Sequence, residues 1–222
     1  MGTISVKVID RLYWLGRYSE RVYTTIRLFA NSYDTMIDSV IDDYVDFCRR
    51  LDIPDCYENS ADFVKRYCFS GEDPNSIYSN LMRAFDNAVT LRSVLGSDVL
   101  AYIQLAVYSL NKASTSSAPL VELQEICDDI LAFWGNADDS IESEHVRNII
   151  KVGKRIERID LYGRLAAPRK SLLREIHRLQ GRIPRTPLKY EMADIAELEA
   201  LAMAPEIKYH ELVERVNRIV EE

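Results

Sequence analysis

Residues 12–27 read LYWLGRYSERVYTTIR, and residues 149–164 read IIKVGKRIERIDLYGR. At a constant offset of 137 residues, the two stretches share a glycine, a Glu-Arg dipeptide and a later arginine. In each copy the pattern is Gly-basic-x-x-Glu-Arg, and the later arginine follows the glutamate by seven residues. On a helix that turns about 100° per residue, positions seven apart nearly overlap, so this spacing predicts two similar helices. The matched positions are Gly16 with Gly153, Glu20 with Glu157, Arg21 with Arg158 and Arg27 with Arg164.

The first of these helices is apolar on nearly every side, which is typical of a buried helix. The rest of the chain also gives helical patterns, and no stretch shows the alternation of a half-buried strand. We therefore predict an all-α fold, a helical bundle with an internal duplication. In that bundle the two Gly-basic-x-x-Glu-Arg helices are expected to be neighbours related by a local two-fold.

Capping residues, glycines and prolines predict where the helices begin and end. Asp10 is predicted to cap the first helix, and Gly135-Asn136 is predicted to end a helix at Trp134. Two domains are expected, a bundle over residues 1–167 and a C-terminal helical extension over residues 168–222 that packs on it. The predicted helices cover residues 10–38, 39–51 (or a bent extension of the first), 60–69, 76–95, 97–112, 119–134, 144–167, 169–180, 191–204 and 209–220.

Composition and charge favour an ordinary soluble protein, with 47% hydrophobic and 28% charged residues. The net charge of −7 disfavours nucleic acid as a partner, because phosphate binding needs a concentrated basic surface. No run approaches the roughly 18 apolar residues of a membrane span, and the N-terminus lacks the layout of a secretion signal. We expect a cytoplasmic protein without a membrane partner.

The cysteines and histidines show no spacing that is typical of a metal site, so no metal is expected. A glycine-rich phosphate loop is also missing from the sequence, and we expect neither ATP binding by this chain alone nor any other cofactor. Reduced, partly buried thiols are the simplest interpretation of the cysteines. They are Cys48, Cys56, Cys68 and Cys127.

Three stretches together resemble the alpha-E domain family, bacterial all-helical proteins named for a Glu-Arg motif. Residues 12–28 resemble the opening motif of the family, DPNSIYSNLMRAFDNAVTLR (73–92) its central motif, and VGKRIERIDLYGRL (152–165) its later one. The resemblance covers roughly residues 5–167, and Lys154 stands where the family has arginine. The matching residues are Gly16, Arg17, Glu20, Arg21, Pro74, Asn75, Ser76, Arg83, Asn87, Arg92, Gly153, Glu157 and Arg158.

The resemblance implies an association with ATP-grasp amide ligases or transglutaminase-like proteins, in making or modifying peptides. It assigns no catalytic role to the domain itself. The function expected from it is a helical partner or substrate-holding component for an ATP-grasp-type amide ligase, which binds an anionic or peptide ligand near the paired Glu-Arg motifs. Two alternatives remain open: a stand-alone enzyme that uses Glu20 or Glu157 as a general base, and a structural bundle that forms homo-oligomers.

The candidate ligand-binding residues come from the Glu-Arg motifs and from the central motif. Arginine suits an anionic ligand because its planar fork binds oxyanions through two hydrogen bonds. The simpler interpretation is a scaffold, in which either Glu20 pairs with Arg158 and Glu157 with Arg21, or each Glu-Arg pair closes within its own half, and in which the 73–76 turn only caps a helix. The candidates are Arg17, Glu20, Arg21, Asn75, Ser76, Arg83, Asn87, Arg92, Glu157 and Arg158.

Basic residues outnumber the nearby carboxylates in the predicted bundle. An unpaired guanidinium in a core is costly, so an anionic ligand or an acidic partner segment would relieve the surplus. The residues that make up this expected surplus are Arg17, Arg27, Arg83, Arg92, Lys154 and Arg164.

Overall fold

The computed structural model describes residues 5–38 and 43–220. Within these ranges the chain forms eleven α-helices and one 3-10 turn and no strand, so the prediction of an all-α fold is confirmed. The internal duplication stays a prediction. The helices are α1 (Val6–Asp38), α2 (Asp43–Leu51), α3 (Ser60–Phe69), α4 (Ile77–Thr90), α5 (Arg92–Leu95), α6 (Ser97–Ser114), α7 (Pro119–Ser140), α8 (Glu144–Arg164), α9 (Arg169–Gln180), α10 (Met192–Met203) and α11 (Tyr209–Val216), with the 3-10 turn at Ile183–Arg185.

The chain divides into two compact units. The terminal unit consists of Met1–Glu20 with Glu142–Glu222, and the central unit consists of Arg21–Ile141, so α1 contributes its first part to one and the remainder to the other. The predicted C-terminal extension after residue 167 lies inside the terminal unit, where α9 and α11 pack on α8. The predicted boundary between two domains at that residue stays a prediction.

The core of the terminal unit forms around α8. This helix packs against α9 and α11, and α10 packs against both of those helices. The apolar residues of α8 recur at spacings of three and four, which places them on one broad buried face. Ser143 caps the helix, since its side chain accepts a hydrogen bond from the backbone N–H of Val146 at 3.4 Å. The buried apolar residues of α8 are Val146, Ile149, Ile150, Val152, Ile156, Ile159 and Leu161.

The central unit contains a helical hairpin and a separate aromatic cluster. The hairpin consists of α6 and α7, which a short polar connection joins, and α4 packs on α6. In the aromatic cluster, Phe63 stacks on Tyr67 at a centroid distance of 5.1 Å and on Tyr44 at 5.3 Å. Phe29 of α1 and Phe47 of α2 complete this cluster.

Among the helix bounds that differ from the prediction, α8 ends at Arg164 rather than at residue 167, and α11 ends at Val216 rather than at residue 220. Three further differences have identifiable reasons. α1 begins at Val6 because Ser5, rather than Asp10, accepts the first backbone hydrogen bonds. α7 continues past Gly135 to Ser140, since a helical glycine costs only about 1 kcal/mol and the buried Ala137 keeps the helix packed. The predicted 76–95 helix is interrupted at Leu91, which separates α4 from α5. Residues 39–42 of the predicted second helix lie outside the described residues.

Candidate functional site

The two Gly-basic-x-x-Glu-Arg helices meet inside the terminal unit, at their glycines. A Cβ atom added to Gly16 would lie 2.0 Å from the carbonyl oxygen of Ile150, and one added to Gly153 would lie 2.1 Å from that of Tyr13. The contact is reciprocal, because each glycine faces the residue three positions before the other. Only a residue without a side chain permits this approach. The prediction that the two helices are neighbours is therefore confirmed. Because the helices cross here, the polar side chains that follow each glycine contact the opposite helix.

On one side of the crossing, Arg17 pairs with Glu157. The Nε of Arg17 donates to Oε2 of Glu157 at 2.7 Å, and both side chains are almost fully buried. The guanidinium carbon of Arg17 also lies 5.0 Å from the centroid of the Trp14 ring. Burial by itself lowers the pKa of Arg17, but the negative charge and the hydrogen bond of Glu157 outweigh it and raise the pKa above its ordinary value. Arg17 is thus a permanently charged member of a buried ion pair.

A second carboxylate balances the charge on this side. The Nη2 of Arg17 donates to Oδ1 of Asn217 at 2.9 Å, and Nδ2 of Asn217 donates to Asp160 at 2.6 Å. Asp160 also accepts from Nε of Arg164 at 2.9 Å. Two arginines and two carboxylates are therefore joined in one network, and the C-terminal end of the chain closes it through Asn217.

On the other side of the crossing, Arg158 donates hydrogen bonds to both carboxylate oxygens of Glu20. The Nε of Arg158 donates to Oε1 at 2.5 Å, and its Nη2 donates to Oε2 at 2.9 Å. This two-bond geometry is the strongest form of an arginine–carboxylate pair. Burial by itself lowers the pKa of Arg158, and the charge of Glu20 outweighs it, so the pKa is raised. The predicted Glu20–Arg158 pair is present, and Glu157 pairs with Arg17 of the first helix.

Beside this pair, α9 brings the buried carboxylate of Glu175 against α8. The Nη1 of Arg155 donates to Oε2 of Glu175 at 2.6 Å. Its other oxygen accepts from Nε of Arg174 at 3.2 Å and from Nη1 of Arg178 at 2.9 Å. Burial raises the pKa of Glu175 by itself, but the positive charges of Arg155, Arg158 and Arg178 lower it overall. Three guanidinium groups thus converge on one carboxylate.

Lys154 lies at the position that matches Arg17 in the other copy, and it shares its surroundings with Glu20 and Glu175. Burial lowers the pKa of Lys154 to about 7, and the charges of Arg158 and Arg155 act in the same direction against Glu20 and Glu175. In this part of the described chain, five basic side chains surround two carboxylates. We call them the cation cluster: Lys154, Arg155, Arg158, Arg174 and Arg178, around Glu20 and Glu175.

The predicted candidates from the central motif lie in the central unit, where they stabilise a helix start. Ser76 caps α4 by accepting from the backbone N–H of Ser79 at 2.9 Å, and its hydroxyl donates to the carbonyl of Ser70 at 2.6 Å. Arg83 donates to the carbonyl of Pro74 at 2.8 Å. These contacts are what helix capping alone requires.

The remaining candidates of this unit lie in the turn before α4 and along α1, α4 and α5. Asn75 donates its backbone N–H to Asp73 at 2.8 Å, and the carbonyl of Asn87 accepts from Leu91 at 2.9 Å. Arg92 donates to the hydroxyl of Ser97. The last predicted candidate in this unit is Arg21 of α1, whose side chain is half-buried.

The expected surplus of basic residues lies elsewhere than predicted. Arg27 donates to the hydroxyl of Tyr23 at 3.1 Å, and Arg17, Arg83, Arg92 and Arg164 have the partners described above. Of the predicted set, Lys154 is the member in a cation-rich environment. Sequence reasoning included Arg158 but missed Arg155 of α8 and Arg174, Glu175 and Arg178 of α9, although residues 144–185 contain 12 lysines and arginines against 4 acidic residues. That local imbalance was the available signal.

The described residues contain neither a group of side chains suited to a metal ion nor a helix suited to crossing a membrane. Over residues 5–38 and 43–220, no group of three or more cysteine, histidine or acidic side chains is arranged to hold a metal ion. Within the same ranges, no helix combines the length and the apolar character that crossing a membrane requires.

The comparisons with known proteins agree with the motifs at this crossing. The comparison with curated proteins and the comparison with solved structures found no match. One family model matches residues 4–214, and its description is a predicted alpha-helical domain with a conserved ER motif. The match extends beyond residue 167, where the resemblance in the sequence ended, and so includes α9, α10 and most of α11. The chain belongs to the Alpha-E family.

Proposed function

We propose that this protein is a helical partner or substrate-holding component for an ATP-grasp-type amide ligase, and that it binds a carboxylate-bearing ligand at the cation cluster. The ligase rests on the family resemblance alone. The anionic ligand rests on one observation, the excess of positive charge around Glu20 and Glu175.

The contrast between the two sides of the crossing supports this proposal. Around Glu157 two arginines meet two carboxylates, which is the composition of a scaffold. Around Glu20 four arginines and Lys154, whose pKa is about 7, meet two carboxylates, and part of this excess of basic groups is withdrawn from water. Desolvated positive charges that repel one another are stabilised by an anion, and a guanidinium is the group best suited to hold a carboxylate.

The geometry favours binding over general-base catalysis by Glu20 or Glu157. A general base must offer its lone pair to a proton of the substrate. Arg158 instead engages both oxygens of Glu20, and Glu157 accepts a short hydrogen bond from Arg17. Both carboxylates are fully buried. We therefore assign them the role of positioning the guanidinium groups.

Titration calorimetry with N-acetylglutamate tests the anion site. Replacing Arg155 by glutamine removes one cation and leaves the Glu20–Arg158 pair intact, so we expect weaker binding of N-acetylglutamate with an unchanged circular dichroism spectrum. The matched control is Arg215→Gln in the same unit, because Arg215 is held by two exterior carboxylates, Asp194 and Glu197. Equal affinities for the parent chain and both variants would refute the site.

The ligase partnership needs a separate experiment. An ATP-grasp protein encoded beside this chain is expected to co-purify with it and to form an amide bond faster in its presence. Amide formation by this chain alone would contradict the proposal and favour the enzyme alternative. A stable homo-oligomer that binds neither N-acetylglutamate nor the ligase would favour the purely structural one.

A further inference from the structure

The cation cluster continues into an exposed row of basic side chains along α8 and α9. Arg174 and Arg178 keep 51% and 48% of their side-chain surface exposed while each also contacts Glu175. Lys151 of α8 and Arg182, which follows the end of α9, are half-buried. We call these four residues the basic ridge: Lys151, Arg174, Arg178 and Arg182.

Two contacts fix how the ridge is laid out. Arg155 of α8 bonds Glu175 of α9, and Arg182 bonds Oδ1 of Asn148 at 3.2 Å. The helices are therefore antiparallel, with residue 148 opposite 182 and residue 155 opposite 175. Lys151 lies between Asn148 and Arg155 on α8, which places it opposite the stretch between Glu175 and Arg182. The ridge thus follows the α8–α9 hairpin over several helical turns.

From this layout we infer that the basic ridge binds a carboxylate-rich polypeptide segment lying along the α8–α9 hairpin, with one of its carboxylates in the cation cluster. This inference rests on the proposed function and specifies its ligand class. A single carboxylate would use only the cluster. The ridge adds positive charges beyond the cluster, which a ligand with further negative charges at regular intervals would use.

The spacing of the ridge suits a polypeptide. Arg174 and Arg178 are four residues apart on a helix, which corresponds to a rise of about 6 Å. In an extended peptide, side chains on one face recur about every 6.8 Å, so alternate glutamates can meet successive arginines. Glu175 shows that the donors are placed for a carboxylate, because Arg174 and Arg178 both donate to one of its oxygens.

Charge on the rest of the chain favours a short acidic peptide over nucleic acid. Outside residues 144–185 the protein has 16 basic and 31 acidic residues. A long polyanion extends beyond the ridge and is repelled by the negatively charged remainder of the protein, whereas a short peptide contacts the ridge alone. Binding of single-stranded oligonucleotides is therefore the competing outcome of the experiment.

Fluorescence anisotropy on the full-length chain separates these outcomes. The probes are labelled diglutamate, hexaglutamate and a six-nucleotide single-stranded DNA. We expect hexaglutamate to bind about tenfold more tightly than diglutamate, since two or more ion pairs are added at a partly exposed surface. The Lys151→Gln/Arg182→Gln double variant changes the two ridge residues that lie outside the cation cluster, so it should lose about fivefold in hexaglutamate affinity and little in diglutamate affinity. The arginines that hold Glu20 and Glu175 are unchanged in this variant, so the cluster is preserved.

The control removes equal charge from the other unit. Arg49→Gln/Arg50→Gln eliminates two exposed arginines that pair with Asp46, and it should leave hexaglutamate affinity unchanged. Equal affinity for diglutamate and hexaglutamate overturns the ridge while leaving the proposed carboxylate site in place. Tighter binding of the oligonucleotide than of hexaglutamate overturns the choice of a polypeptide. Failure of both peptides to bind overturns the ridge and the proposed function together.

Discussion

Replacing Gly16 by alanine tests the closest contact in the terminal unit. The new Cβ would lie 2.0 Å from the carbonyl oxygen of Ile150 and 2.9 Å from its carbon. An ordinary carbon–oxygen contact needs about 3.3 Å, so the two helices must separate by about 1.3 Å. The obstacle is backbone, which cannot rotate away as a flexible side chain can.

The magnitude follows from two opposing effects. Alanine is favoured over glycine in a helix by about 1 kcal/mol, so without the contact Gly16→Ala would stabilise the protein. Inserting a methyl group into a packed interior typically costs 1–3 kcal/mol, and a rigid backbone obstacle belongs at the upper end of about 3 kcal/mol. We expect a net loss of about 2 kcal/mol or more in the free energy of unfolding.

Urea denaturation followed by circular dichroism measures this change, and the chain provides a matched control. Gly135 is helical in α7, and a Cβ added there meets nothing within 4 Å. Gly135→Ala should therefore stabilise the protein by about 0.5–1 kcal/mol. The Gly16→Ala/Gly153→Ala double variant should lose less than the sum of the single losses, because one separation of the helices accommodates both methyl groups. An unfolding free energy for Gly16→Ala that equals or exceeds that of the parent would refute the close crossing.

Three further predictions concern a cap, a buried charge and a proton. Ser76→Ala should cost about 1–2 kcal/mol of unfolding free energy in urea melts, because the Ser79 N–H loses its acceptor; an unchanged melt would contradict the cap. Glu157→Gln should cost about 3–5 kcal/mol by the same measurement, since Arg17 stays buried without a counter-charge, and a loss below 1 kcal/mol would contradict a buried pair. The pKa of Lys154 is about 7 in the folded chain and about 10.5 in the unfolded chain. Between these two pH values the unfolded state binds more protons than the folded state, so the free energy of unfolding rises with pH. Urea melts at pH 6, 7.5 and 9 should show that Lys154→Met loses this increase of up to about 1.4 kcal/mol per pH unit, and equal pH dependence in both proteins would contradict it.

Much of the fold can be predicted from the sequence because its helix signals are local. The bounds of α3 and α9 follow from capping residues, glycine and proline within a few positions of each end. Predictions failed where distant packing decided the outcome, as at Gly135. The meeting of α1 and α8 is the long-range feature that the sequence does predict, since the two glycines stand at matched positions of similar helices.

The site is less predictable, because its composition depends on a third helix. The Glu20–Arg158 pair follows from the motifs, but the pairing of Arg17 with Glu157 depends on the angle at which the helices cross. Glu175 belongs to α9, which has no motif that links it to the others. Sequence alone gives the number of charges in this region, and only the fold shows which carboxylates neutralise them.

Proton uptake on ligand binding is the most direct test of the cation cluster. Calorimetric titration of hexaglutamate at pH 7.5, repeated in buffers of different ionisation enthalpy, gives the number of protons taken up per ligand. An anion beside Lys154 raises the pKa of that amine, so we predict the uptake of a fraction of a proton, and we predict that Lys154→Met abolishes it. Binding without proton uptake, or uptake that persists in Lys154→Met, would contradict an anion site at this cluster.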